Sequence, residues 1–448
     1  MNGRLLLISY MFPPAGGVGV HRPLSQARYL PRSGLSVTVL TVKDPIAHVY
    51  DAALEKTIPP EVRVYHAAAI EPPYALRQRV RHFLGRPQTG PETPSAPATP
   101  NASFPPRRGL RRWTHALLER IFFPDLQILW VRPALREAIR LIETGDIGSV
   151  LISAPPYSLL CFAAPLRRRF PGLRIILDLR DEWLQYHFQE LQFDGPVSNW
   201  KLSHAARLEA AAVAAADSVV TVTPPWQAVM RDRYPRQPAS KFLCIPNGYD
   251  PDALRGFRRR PPAVPPLIVS YLGTLHANPV YSPQPYFDAL DALPESCRDR
   301  IETRFIGRVA ADAAPLLAAR RSRIVQTGFL PQQEAFRQLE TSHCLLLLIG
   351  TATAHSGKLF EYLAMGIPIL AVTPRGGEVE RVLAETRGGL CAPPDDPAAI
   401  GRALQQIYHS SFGQPGAGLF APDPDSVAAY SRERLAAELA RATGLLDE

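Results

Sequence analysis

The sequence predicts an α/β protein made of two parallel sheets, each wound on both faces by helices. Three observations predict this. Short, apolar, β-branched runs alternate with amphipathic stretches of helical period. The alternation restarts after a proline-rich stretch. The chain has 448 residues and 46% hydrophobic content, enough for two domains with large cores.

The elements follow in order. "RLLLISY" (4–10), "SVTVLTV" (36–42), "SVLISAP" (149–155), "LRIILDL" (173–179) and "SVVTVT" (218–223) read as the strands of a first sheet. Runs apolar on both faces suit parallel strands covered from both sides. "RPALREAIRLIE" (132–143) and "NWKLSHAARLEAAAVAAA" (199–216) read as helices between them. A second set of strands is "LIVSYLG" (267–273), "RFIGRV" (304–309), "IVQTGFL" (324–330), "CLLLLIG" (344–350) and "IPILAV" (367–372). "RRRPPAVPP" (258–266) separates the sets, and its four prolines continue neither sheet nor helix, so the hinge is expected there. The first domain is then 1–257 and the second 267–425, with 426–448 a closing amphipathic helix. The stretch 86–106 has seven prolines and few large apolar groups, which predicts a disordered excursion.

Composition narrows the function. No apolar run reaches the roughly 18 residues of a membrane span. The first residues, "MNGRLLLISYMFPP", lack the length and cleavage site of a signal peptide. The five cysteines (161, 244, 297, 344, 391) are scattered, which reads as reduced thiols in a cytoplasmic protein with no zinc site. The net charge is +9, and eight arginines fall between Arg77 and Arg112 beside a single acid, Glu92. That patch either suits a phosphate-rich partner such as an anionic membrane surface, or is a solvated face. No nucleic-acid module is recognisable. "RRGLRRWTHALLERIFF" (107–123) places Leu110, Trp113, Leu117 and Ile121 at helical spacing among arginines. It reads as a peripheral membrane helix or as one packed on the first core.

Two stretches have the makings of anion sites. In "YMFPPAGGVGVHRPL", Gly17 and Gly19 follow the first strand and let backbone approach a ligand. This is no dinucleotide fingerprint, because Arg22 stands where a third glycine belongs and Lys43 follows the second strand without an acid. In "IGTATAHSGKLFEYLAMG", a small-residue loop leaves a strand and enters a helix near Ser356. Backbone N–H groups near Ser356, Gly357 and Lys358 would face an anion, and the Lys358 ammonium adds charge. Six residues between Gly350 and Gly357, and Leu359 after the lysine, exclude a P-loop. Glu361 either accepts two hydroxyls of a ribose or merely complements the helix dipole.

"GKLFEYLAMGIPILAV" resembles family 4 of the retaining glycosyltransferases, the group 1 glycosyl transferases, of the bacterial polysaccharide-building type. So do "SAPPYS", "DLRDEW", "IPNGYD", "YLGTLH" and "VQTGFLPQQEAF", in the family's order over nearly the whole chain. The resemblance implies a GT-B fold: two Rossmann-like domains facing across a cleft, with the last helix crossing back to the first. It implies a nucleotide-sugar donor held mainly by the second domain, a glycan or lipid-linked acceptor, and no metal or other cofactor. Glu361 matches the family's ribose-binding Glu, while the preceding sugar-contacting Glu is replaced by Thr353, which passes part of its work to His355 or to backbone. "LGTLHANPVY" lacks the family's Arg and Lys, leaving Lys358 and Arg308 for the diphosphate. The base falls near Gly328, Phe329 and Leu330. Arg180, with Asp178 and Asp181 beside it, stands where many members have a catalytic His. The expected activity is sugar transfer with retention. The alternatives are a hydrolysing nucleotide-sugar 2-epimerase and a non-catalytic partner subunit of the same fold.

Overall fold

The computed structural model describes residues 3–45, 50–69, 120–185, 198–278, 280–320, 322–413 and 420–446. It divides into two compact units. The first holds the chain up to Val222, Val229–Cys244 and everything from Ala436 on; the second holds Thr223–Ala228 and Ile245–Leu435.

The first unit is a seven-stranded sheet of β1 (Arg4–Ile8), β2 (Ser36–Val42), β3 (Arg63–Ala67), β4 (Ser149–Ala154), β5 (Arg174–Leu179), β6 (Ser218–Thr221) and β7 (Phe242–Cys244). The order is β3-β2-β1-β4-β5-β6-β7, with every pairing parallel. The central strands are buried along their length, as β4 shows at all six positions. That is the cause of their unbroken apolar runs. Trp130, fully buried, anchors the helix Ile128–Gly145 by donating from Nε1 to the Ala67 carbonyl at 3.2 Å.

The second unit is a six-stranded parallel sheet of β8 (Leu267–Leu272), β9 (Ile301–Ile306), β10 (Arg323–Gly328), β11 (Cys344–Leu348), β12 (Ile369–Val372) and β13 (Gly389–Ala392). Its order is β10-β9-β8-β11-β12-β13. Both sheets are thus Rossmann-like, with the chain reversing direction beside the first strand of each set. In such sheets ligands gather beyond the carboxyl ends of the strands at that reversal. It lies between β1 and β4 in one unit and between β8 and β11 in the other.

Three expectations need correction. The proline-rich stretch 258–266 is not between the units. Arg260 N–H donates to the Glu340 carbonyl at 2.6 Å, and His343 Nε2 donates to the Pro262 carbonyl at 2.8 Å, so the stretch is tied into the second unit. The chain passes between units at Cys244–Ile245. The closing helix is two helices, Pro424–Ala429 and Arg432–Ala442. It breaks because the Tyr430 carbonyl accepts from Tyr249 N–H at 3.1 Å and Ser431 pairs with Tyr249. The second of these helices then joins the first unit, where Arg174 donates to the Thr443 carbonyl at 2.6 Å. Finally, β3, β7 and β13 were not read from the sequence.

The stretch 86–106, the arginines from Arg77 to Arg112, and Leu110, Trp113 and Leu117 lie outside the described residues. Of the basic helix only its end is described. There Phe123 packs edge-on to Trp200 at 5.5 Å, against the first core, and Ile121 is half-exposed. Among the described residues no helix is long and apolar enough to cross a membrane.

Candidate functional site

In the second unit, glycines end β8 and β9. Gly273 has φ +117° and Gly307 has φ +132°, a region that L side chains rarely adopt. A Cβ on Gly307 would lie 2.4 Å from the Gly273 carbonyl oxygen, so two bare backbones touch at the strand ends. A Cβ on Gly273 would lie 2.8 Å from Nζ of Lys358. The lysine is therefore laid across the end of β8. Its Nζ donates to the Tyr271 hydroxyl at 3.0 Å and sits 4.3 Å from that ring's centroid. The hydroxyl in turn donates to the Thr274 carbonyl at 3.1 Å. A cation held on an aromatic face keeps its place while N–H donors remain for a ligand.

Lys358 opens the helix Lys358–Ala364, and Glu361 is three residues on, on the same face. Among the described residues no donor hydrogen-bonds the Glu361 carboxylate. The nearest cation is Arg432, whose Nη2 is 3.9 Å from Oε1. Both side chains are largely withdrawn from water, 16% exposed for Glu361 and 13% for Arg432. Burial pushes the Glu361 carboxyl above the ordinary range, Arg432 and then Lys358 pull it back, and Asp250 adds to the rise.

The loop before the helix collects four more predicted residues. Ser356 Oγ accepts from Lys358 N–H at 3.3 Å, and the Ser356 carbonyl accepts from Leu359 N–H at 3.0 Å. Gly357 has helical dihedrals, and a Cβ there would meet nothing within 4 Å. The His355 ring stands edge-on to Phe360 at 4.8 Å. Thr353 is exposed, its hydroxyl 3.2 Å from that of Thr351, and its carbonyl accepts from Thr223 Oγ1 at 2.9 Å. Arg308 and Phe329, after β9 and β10, meet each other: the guanidinium lies 5.0 Å from the centroid of a ring that is 57% exposed.

In the first unit, Gly17 has φ +92° and open space where a Cβ would be. The Gly19 carbonyl accepts from Arg180 Nη1; the same guanidinium donates from Nη2 to the Pro155 carbonyl and from Nε to that of Ala154 at 3.3 Å. Arg180 thus ties Gly19, in the first turn of the helix Val18–Tyr29, to the end of β4. Burial lowers its pKa, against which Asp181 and Asp178 work. Asp181 is exposed and its carbonyl accepts from the Tyr157 hydroxyl at 3.0 Å.

Sequence reasoning missed how these parts are held. Asp178 is fully buried and receives Arg22 Nη2 at 2.8 Å, Gln26 Nε2 at 2.8 Å and Ser153 Oγ at 3.2 Å. Those contacts hold its carboxyl below the ordinary range despite the burial. Arg22 and Asp178 are visible in the motifs, but their pairing is not. Tyr271 stands in a strand pattern, and Arg432 among other helical charges, so neither carries a signal of its own. Among the described residues no cluster of three His, Cys, Asp or Glu is placed to hold a metal ion.

Residues 267–410 match the profile of the family described as glycosyl transferases group 1. No curated protein matches the chain in sequence. Solved structures share its fold. Sucrose-phosphate synthase of Thermosynechococcus elongatus has a TM-score of 0.62 at 16% identity, covering 98% of this chain and 97% of that one. The lipopolysaccharide outer core galactosyltransferase WaaB in its apo form has a TM-score of 0.56 at 13% identity, covering 98% of each. Anabaena HepE, solved with UDP-glucose, has a TM-score of 0.59 at 11% identity, covering 99% of this chain and 100% of that one. The glycine contacts at the ends of β8 and β9, Lys358 and Glu361 all fall inside the matched residues, so it is the part of the chain similar to the group 1 glycosyl transferases that holds them.

Proposed function

We propose that the chain moves a sugar from a nucleotide-sugar donor to an acceptor hydroxyl. The observation that carries this reading is the Glu361 carboxylate: largely buried, unbonded by any described residue, and one turn from a fixed lysine. A carboxylate so placed is an acceptor for two neighbouring hydroxyls, such as those of a ribose. Lys358 meets the donor diphosphate together with the backbone at Ser356 and Gly357, and stabilises it as it departs. Arg308 and Phe329 offer a flat cationic and aromatic face for the base. His355 and Thr353 take the sugar, with a threonine hydroxyl where the family pattern has a carboxylate. The Gly17–Gly19 stretch, held by Arg180 at Gly19, supplies a second bare backbone for phosphate. The HepE structure solved with UDP-glucose supports a donor of this class. Retention, a glycan or lipid-linked acceptor, work at the cytoplasmic face of a membrane and independence from metal complete the proposal.

Incubation with a panel of nucleotide sugars and acceptors tests it. Transfer with release of nucleoside diphosphate, sustained in excess chelator, is expected. Release of nucleotide and a free epimer without transfer would make it an epimerase, and no turnover with any donor would leave a partner subunit.

A further inference from the structure

We propose that Arg432 is a positioning residue for the donor site, holding the Glu361 carboxylate ionised without occupying its lone pairs. The proposal rests on the nucleotide-sugar reading above. It stands first on geometry. The guanidinium of Arg432 is anchored through Nε to the Gly248 carbonyl at 2.8 Å. Gly248 is closely packed: a Cβ there would lie 2.3 Å from the Tyr430 carbonyl oxygen and 2.6 Å from Leu435. Tyr249 N–H donates to the Tyr430 carbonyl at 3.1 Å, and Arg432 N–H donates to that of Tyr249 at 2.9 Å. The arginine is therefore fixed at its backbone and at its head.

The separation gives the arrangement its meaning. At 3.9 Å, Nη2 attracts Oε1 but makes no hydrogen bond with it. A closer, bidentate pair would fill the oxygens that a ligand needs. With little solvent around either side chain, the attraction is weakly screened. The charged groups facing Glu361 are Lys358 from its own helix, Arg432 from the helix Arg432–Ala442 and Asp250 from the segment after Gly248. Remove Arg432, and Lys358 alone opposes both Asp250 and burial. The Glu361 carboxyl is then pushed further up, and a protonated carboxyl is a poorer acceptor for two hydroxyls than a carboxylate.

The test is calorimetric titration of UDP, ADP and GDP, each alone, into wild type, Arg432→Gln and Arg432→Lys, at neutral and mildly acid pH. Wild type is expected to bind at least one of the three. Arg432→Gln should weaken that binding about tenfold at neutral pH and further in acid, and Arg432→Lys should recover most of it. The midpoint of the acid limb should move to higher pH in Arg432→Gln, because the carboxylate is lost sooner as pH falls. An Arg432→Gln protein that melts lower yet binds as tightly as wild type at every pH would make Arg432 only a brace for Gly248, and the proposal fails. If wild type binds none of the three nucleotides, the nucleotide-sugar reading fails and takes this proposal with it.

Discussion

Glu361 and Lys358 are three residues apart, yet their substitutions should read out differently. Glu361→Gln removes a charged acceptor and leaves the helix intact. Charged hydrogen bonds contribute about 1.5–3 kcal/mol each, so donor KM should rise roughly 10- to 100-fold. Unchanged KM and turnover in steady-state kinetics would return Glu361 to a dipole-complementing role. Lys358→Met keeps the stem that covers Tyr271 and Gly273 but loses the charge. Its kcat should fall on the order of a hundredfold with a smaller change in KM, since the charge acts mainly on the departing diphosphate. A lower melting temperature with intact kinetics would make Lys358 a helix-end residue and nothing more. Both residues were legible because the motif places them at helical spacing. Arg432 was not, because its role depends on a chain segment near Gly248 that no local pattern links to it.

The elements divide by burial in what the sequence discloses. β4 and β11 are buried at every position, and their apolar runs announced them. The edge strands β3 and β10 are half-exposed, so their polar residues blur the pattern; β3 went unread and β10 was placed by a central valine and isoleucine. The break at Tyr430 was illegible for another reason: it is made by a hydrogen bond from Tyr249, a long-range partner that overrides helical propensity. The loop into the Lys358 helix offers the cleanest element-scale test. Gly357 has helical dihedrals and open space at its Cβ, so Gly357→Ala should fold normally and gain about 0.4–1 kcal/mol of stability. If a ligand's phosphate sits on that backbone, the new methyl meets it, and donor affinity should fall about tenfold or more. A stabilised variant with wild-type affinity would show that the ligand stays clear of this turn.

Across the whole molecule, one buried histidine ties stability to pH. His343 Nδ1 accepts from Ile268 N–H at 3.0 Å while Nε2 donates to the Pro262 carbonyl at 2.8 Å. Only the neutral imidazole does both, and burial lowers its pKa from the usual value. The unfolded chain therefore takes up this proton first as pH falls. The stabilisation is complete above about pH 6.5 and drains below it, by at most about 1.4 kcal/mol per pH unit. Urea titrations should show a steeper acid loss in wild type than in His343→Leu. The division of the chain has a consequence for how the protein is made. Leu439 and Ala440, buried in the closing helix, belong to the first unit, although they follow the whole of the second in sequence. During translation the first sheet emerges early, but its unit stays incomplete until residues 436–446 have left the ribosome. The second unit, contiguous over Ile245–Leu435 apart from a six-residue piece supplied earlier, has nearly all its parts sooner. The half that is synthesised first is therefore the one that waits longest for its last helix, with the surface destined for Leu439 uncovered in the meantime.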